Sequence, residues 1–176
     1  MARWCCLLLC CLGLLAAGDG PVDSDYQTLP MLGIEMSPIT PRIRYQNRMF
    51  DRDAVQVLEI VPGTGAEAAG TLVPGDVIVA IDDEPIESMA DLRRSVWARD
   101  PGTGVVLDVR RRGAVVTVSA VLGPWLEHIP LDPVDAEDEA DYNAWSRAQA
   151  LDALRRFRPG EYEAWLAART PTVQVP

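Results

Sequence analysis

Lysine is absent from this 176-residue chain, and all sixteen basic residues are arginine. Twenty-six acidic residues oppose them, for a formal net charge of −10. With an acid surplus of that size there is no basic surface of the kind nucleic acid or an anionic membrane requires, so neither is expected as a partner. Histidine occurs once, as His128, and cysteine only at Cys5, Cys6, Cys10 and Cys11. Beyond residue 11, carboxylates are the main metal-ligating groups left, and Asp82-Asp83-Glu84 reads as a solvated turn, so no metal and no cofactor are expected. His128, close to Pro124-Trp125, reads as a surface or packing residue and receives no role. Acyl-transfer catalysis needs a nucleophile, a base and an orienting acid held by a scaffold, and no G-x-S-x-G elbow is present. The chain is therefore expected to have no catalytic residues and no small-molecule substrate.

A long apolar run is also missing. The longest, Leu7 to Leu15, falls well short of the roughly 20 residues of a membrane-spanning helix. With Arg3 before it and Ala16-Ala17-Gly18 after it, the run has the form of a secretory signal peptide over residues 1–18. Leu8-Leu9-Cys10 lacks the small residues that a lipoprotein signal places before its cysteine, so lipidation is not expected. Export to the periplasm or the medium follows, and the exported chain would contain no cysteine and no disulfide.

What is present fits one ordinary domain with an appendage. An apolar fraction of 48% and a charged fraction of 24% are those of a globular chain. Residues 19–30, punctuated by Gly20, Pro21 and Pro30, read as a flexible leader. Leu32 to Met36 forms a first strand. Residues 37–54 fit neither helical nor strand period and are left unassigned. Val55 to Val61 is a strand stopped by Pro62-Gly63, Ala66 to Ala69 a single helical turn ended by Gly70, and Val77 to Ile81 a fully buried strand. Ser88 caps a helix in which Met89, Leu92 and Val96 share one face and Asp91 completes a capping box. Val105 to Val109 and Val115 to Leu122 form a hairpin around Arg110-Arg111-Arg112-Gly113, whose arginines read as a solvated tip.

After Pro124 the pattern changes. Acidic residues crowd the start of a helix from about Asp135 to Phe157 and arginines crowd its end, which complements the helix dipole. Pro159-Gly160 breaks it, and Glu161 to Arg169 forms a shorter helix. The pairs Tyr142/Trp145 and Tyr162/Trp165 give each helix an aromatic face. Residues 170–176 are a tail.

Leu32-Gly33-Ile34-Glu35-Met36, Pro62 to Gly70, Pro74-Gly75-Asp76 with its strand, and the helix from Ser88, taken in that order, resemble the PDZ domain of bacterial HtrA/DegP-like periplasmic proteases. The resemblance spans about Met31 to Gly123, without a protease domain beside it. It implies an α+β, mainly β fold: a small, partly open barrel or sandwich with two helices, here followed by a C-terminal helical hairpin. The expected division is 31–123 for the PDZ-like domain and 124–169 for the helical segment.

The resemblance also implies a site. Backbone N–H groups of Leu32, Gly33 and Ile34 would cradle the carboxylate of a peptide that adds as a strand. Ile34, Met36, Met89, Leu92 and Val96 would line the groove, with the Val96 side chain toward the groove rather than the core. The function implied is an exported, non-catalytic adaptor or sensor that binds protein C-termini or extended segments. Two alternatives stay open: a structural subunit of an envelope machine docking through its C-terminal helices, and a regulator of a separate protease.

Overall fold

The computed structural model describes residues 28–131 and 133–169. The expected signal peptide, the leader up to residue 27 and the tail 170–176 lie outside the described residues. In chain order the elements are β1 (Pro30–Met31), β2 (Ile34–Pro38), α1 (Pro41–Asn47), β3 (Val55–Ile60), α2 (Gly65–Ala69), β4 (Val77–Ile81), β5 (Glu84–Pro85), α3 (Met89–Trp97), β6 (Gly104–Arg111), β7 (Ala114–Val121), β8 (Gly123–Pro124), α4 (Ala136–Phe157) and α5 (Pro159–Ala167). The fold is α+β, mostly sheet up to Pro124 and followed by two helices. Strands β2, β3, β4, β6 and β7 lie side by side and antiparallel, with β5 added to β4. The sheet stays open, with β2 at one edge and β7 at the other. A separate short pair joins β1 to β8, Pro30 opposite Pro124 and Met31 opposite Gly123, so residue 123, the expected boundary, lies inside a strand pair.

Local sequence explains most of these elements. Val77 to Ile81 is apolar throughout and nearly all buried, as a strand covered on both faces must be. The β6–β7 hairpin turns on Arg112 and Gly113, with φ of 52° and 88°, the paired positive values of a tight primed turn. Asp82 and Asp83 take φ of 47° and 66° in the turn from β4 to β5. That turn is more than solvated, because the Asp82 carboxylate accepts from the Val106 N–H at 2.7 Å and pairs with Arg99 at 2.9 Å. Nor is Arg111 a solvated tip residue, as the charge run suggested. Its guanidinium grips the fully buried Asp76 through two 2.7 Å hydrogen bonds, and Asp76 also accepts from the Val73 N–H. A carboxylate with no solvent exposure needs such a partner.

The unassigned segment contains α1. Its inward positions are Arg44 and Asn47, so no apolar stripe marks it, while the apolar residues that anchor it, Ile39 and Met49, flank it and pack on Ala54, Val77 and Val79. Arg44 has no solvent exposure. It donates to the carbonyls of Met49 (3.0 Å) and Arg52 (2.7 Å), to Asp53 Oδ1 (2.9 Å), to Asn143 Oδ1 (3.0 Å) and to Ser146 Oγ (3.3 Å). Burial lowers its pKa, and the charge and hydrogen bond of Asp53 work against that. Asp53 also pairs with Arg147. Two of the five acceptors belong to α4, so this one side chain joins the sheet domain to the C-terminal helices.

Helix α4 starts at Asp135, whose carboxylate accepts from the Glu137 and Asp138 N–H groups. It lies across α1 and buries Ala150 and Leu154 against Phe50, with Tyr45, Tyr162 and Trp165 closing the cluster. The aromatic pairs expected on the two helices form, Tyr142 with Trp145 at 5.4 Å and Tyr162 with Trp165 at 6.2 Å between ring centroids. Near the start of α4, Glu139 is 5% exposed and accepts from the Met89 N–H at 2.8 Å. Burial pushes its carboxyl above the usual range, the Met89 N–H pulls it back, and the charges of Asp91 and Asp53 push it further up. Helix α3 thus has two caps: its own Ser88, which accepts from the Asp91 N–H at 3.0 Å, and a carboxylate from α4. No helix among the described residues is long and apolar enough to cross a membrane.

Candidate functional site

Among the described residues, strand β2 pairs only with β3 in the sheet, and its outer edge faces α3 across a cavity of about 720 Å³. All seven candidate residues line it: Leu32, Gly33, Ile34 and Met36 from the strand side, Met89, Leu92 and Val96 from the helix side. Leu92 and Val96 do more than line it. Both belong to the central core cluster and Val96 is only 5% exposed, so the expectation that Val96 faces the groove rather than the core is corrected: it serves both. The strand face alternates as an edge strand should, with Ile34 and Met36 half-buried and Glu35 exposed between them. A bulge between Glu35 and Met36 shifts the register from Glu35↔Glu59 to Met36↔Val57 and bends the strand there.

The loop before β2 carries the polar geometry. The Leu32 carbonyl accepts from the Ala66 N–H and the Gly33 carbonyl from the Val61 N–H. The N–H groups of Leu32 and Gly33 donate to no acceptor among the described residues. Ile34 stands opposite Ile60, and the Val61-to-Gly33 bond beside this pair makes it a non-hydrogen-bonded ladder position. The Ile34 N–H therefore points away from β3, toward the open edge. Three successive donors are thus left for something outside the sheet. Gly33 makes this possible in two ways. Its φ of 87° is one that side-chain-bearing residues rarely adopt, and a Cβ there would overlap the Thr64 side chain. Thr64 is held in that place by its hydroxyl, which donates to the Val61 carbonyl at 2.7 Å.

Sequence reading missed the third side of the cavity. Trp125, His128, Ile129 and Pro130 line it, with Pro133 and Val134 beyond them. This stretch has no period and was set apart from the domain at residue 124. The one signal for it is the prolines at 124, 130 and 133, which bar a helix before the Asp135 cap without saying where the chain goes. His128, given no role, lies exposed on this side.

Comparison with known proteins agrees with this fold. The PDZ domain family matches residues 30–122. A probable periplasmic serine endoprotease, DegP-like, from Rhizobium meliloti is 31% identical over 122 residues, 69% of this chain and 23% of the relative. The periplasmic pH-dependent serine endoprotease DegQ of Escherichia coli is 30% identical over 92 residues, 52% of this chain and 20% of the relative. Among solved structures, the HtrA-type protease AlgW with decapeptide superposes at a TM-score of 0.50 with 26% identity, over 56% of this chain and 30% of that one. The chain thus spans about a fifth to a quarter of the length of these two curated relatives.

Proposed function

The chain belongs to the PDZ domain family, and from that footing we propose that it is an exported, non-catalytic module that captures C-termini or extended segments of other proteins by strand addition at β2. The observation that carries this is the row of three N–H groups, Leu32, Gly33 and Ile34, left without acceptors among the described residues at the mouth of an apolar cavity, beside a strand edge that no described residue pairs with. A peptide lying antiparallel to β2 would complete the ladder, and its carboxylate would take the donors of the loop. Ile34, Met36, Met89, Leu92 and Val96 would then hold its apolar side chains. The ligands are envelope or secreted polypeptides, with no cofactor and no small-molecule substrate. The periplasmic relatives support that location, as does the signal-like form of residues 1–18. Native protein that still begins at Met1 would speak against export.

The test uses peptides with apolar final residues, each in free and amidated form, titrated calorimetrically into the chain from Asp19 onward. Hydrogen bonds to a charged group contribute about 1.5–3 kcal/mol. Amidation is therefore expected to weaken binding by about ten- to a hundredfold. Free and amidated peptides that bind alike would remove the carboxylate from the reading.

A second reading has its own observation. Trp145 is 51% exposed, Phe157 76% and Leu166 42%, all on the C-terminal helices. That supports docking through α4 and α5, as a subunit of an envelope machine or a regulator of a separate protease.

A further inference from the structure

The third side of the cavity comes from residues beyond the family match, which ends at residue 122. Residues Trp125 to Pro130 fold as a turn with its own bonds. The Trp125 N–H donates to the Leu29 carbonyl at 2.8 Å, the Ile129 N–H to the Leu126 carbonyl at 2.9 Å, and the Trp125 indole N–H to the Ile129 carbonyl at 2.9 Å. The turn hangs from β8, whose partner β1 runs directly into the Leu32-Gly33-Ile34 loop and packs against α3. Because β8 runs antiparallel to β1, the turn attaches beside Leu29, three residues before Leu32, and it lines one cavity with Leu32, Gly33 and Ile34 and with Val96 and Trp97.

Resting on the peptide reading above, we infer that this turn is the specificity wall for the ligand's final residue. A carboxylate on the loop puts the last side chain of the ligand next to the loop, between Val96 and Trp97 of α3 on one side and Trp125 and Ile129 on the other. The turn adds a half-buried indole and a half-buried isoleucine to the lining of the cavity. Both have part of their surface uncovered for a ligand to bury. The indole is also pre-organised, since its one donor is already spent on Ile129 and its ring plane is set by that bond. Trp125 and Ile129 thus set how large a final side chain the site takes, and the sheet domain sets that a chain end is taken at all.

The two functions separate in one experiment on the full chain. Short synthetic peptides that differ only in the last residue, Ala, Val or Phe, each with a free carboxyl, are titrated into wild type, Ile129→Ala and Ile129→Trp. Ile129→Ala is expected to weaken the Phe-ending peptide by about three- to tenfold while leaving the Ala-ending one unchanged, since only a large side chain reaches the wall. Ile129→Trp narrows the space and is expected to reverse the order toward Ala. The Trp125 indole N–H resonance of wild type, which needs no substitution, should shift with the Phe-ending peptide and much less with the Ala-ending one. If wild type binds these peptides but both variants keep its order of preference, or the indole resonance stays put, the wall is wrong and the groove stands. If wild type binds none of them, the groove reading falls and the wall with it.

Discussion

Arg44→Met is expected to destabilise the protein by about 3 kcal/mol, the low end of the range for removing one member of a buried ion pair. Methionine matches the length of the arginine stem, so the loss is chiefly polar. Five acceptors lose their donor: the Met49 and Arg52 carbonyls, Asp53, Asn143 and Ser146. The cost stays at the low end because Asp53 keeps Arg147 and Ser146 keeps its own bond to the Ile39 carbonyl. Arg44→Lys should recover little, since an ammonium has three donors on a flexible stem and cannot span five acceptors set around a planar fork. Urea unfolding followed by tryptophan fluorescence reads the change, and against a typical stability of about 5–15 kcal/mol it is a large fraction. An unchanged midpoint would mean that the packing of Leu154 and Ala150 on Phe50 joins the two parts alone.

That side chain also shows where sequence reading stops. The sheet, α2 and α3 were legible because their burial is apolar and periodic: Val77 to Ile81, the Met89/Leu92/Val96 face, the Ser88 cap and Gly70 each carry a local signature. Helix α4 was legible through charge, acids at one end and arginines at the other. Helix α1 was not, because a helix that turns Arg44 and Asn47 inward has no hydrophobic stripe to find, and the acceptors that make a buried arginine tolerable lie as far as 102 residues away in sequence. Arg111 was misread for the same reason, since its partner Asp76 is 35 residues distant. For the candidate site, the resemblance named seven residues that line one cavity, but it did not reach the turn Trp125–Pro130. It has no secondary structure to predict, and its position follows from two tertiary anchors, the β1–β8 pair and the Glu139 bond to Met89.

Those anchors lead to the other large expected effect. A chain ended after Gly123 should lose stability by on the order of 5 kcal/mol, and should melt far lower or associate. Four losses add up. Leu154 and Ala150 leave Phe50 exposed, and covering one large apolar side chain is worth about 1.5–3 kcal/mol. Arg44 keeps its charge but loses Asn143 and Ser146, at about 1–3 kcal/mol for buried donors left unmade. The Met89 N–H loses the Glu139 carboxylate, and Pro124 leaves the β1–β8 pair just ahead of the carboxylate loop. The last two losses fall on the groove, so the truncated chain should bind peptides more weakly even at temperatures where it is folded. Scanning calorimetry and the same peptide titrations, run on one preparation, read both effects. A truncated chain that is monomeric, equally stable and equally able to bind would show that α4 and α5 contribute nothing to this domain. Their exposed Trp145, Phe157 and Leu166 would then be explained by a partner protein, and docking through the C-terminal helices would become the better account of what the protein does.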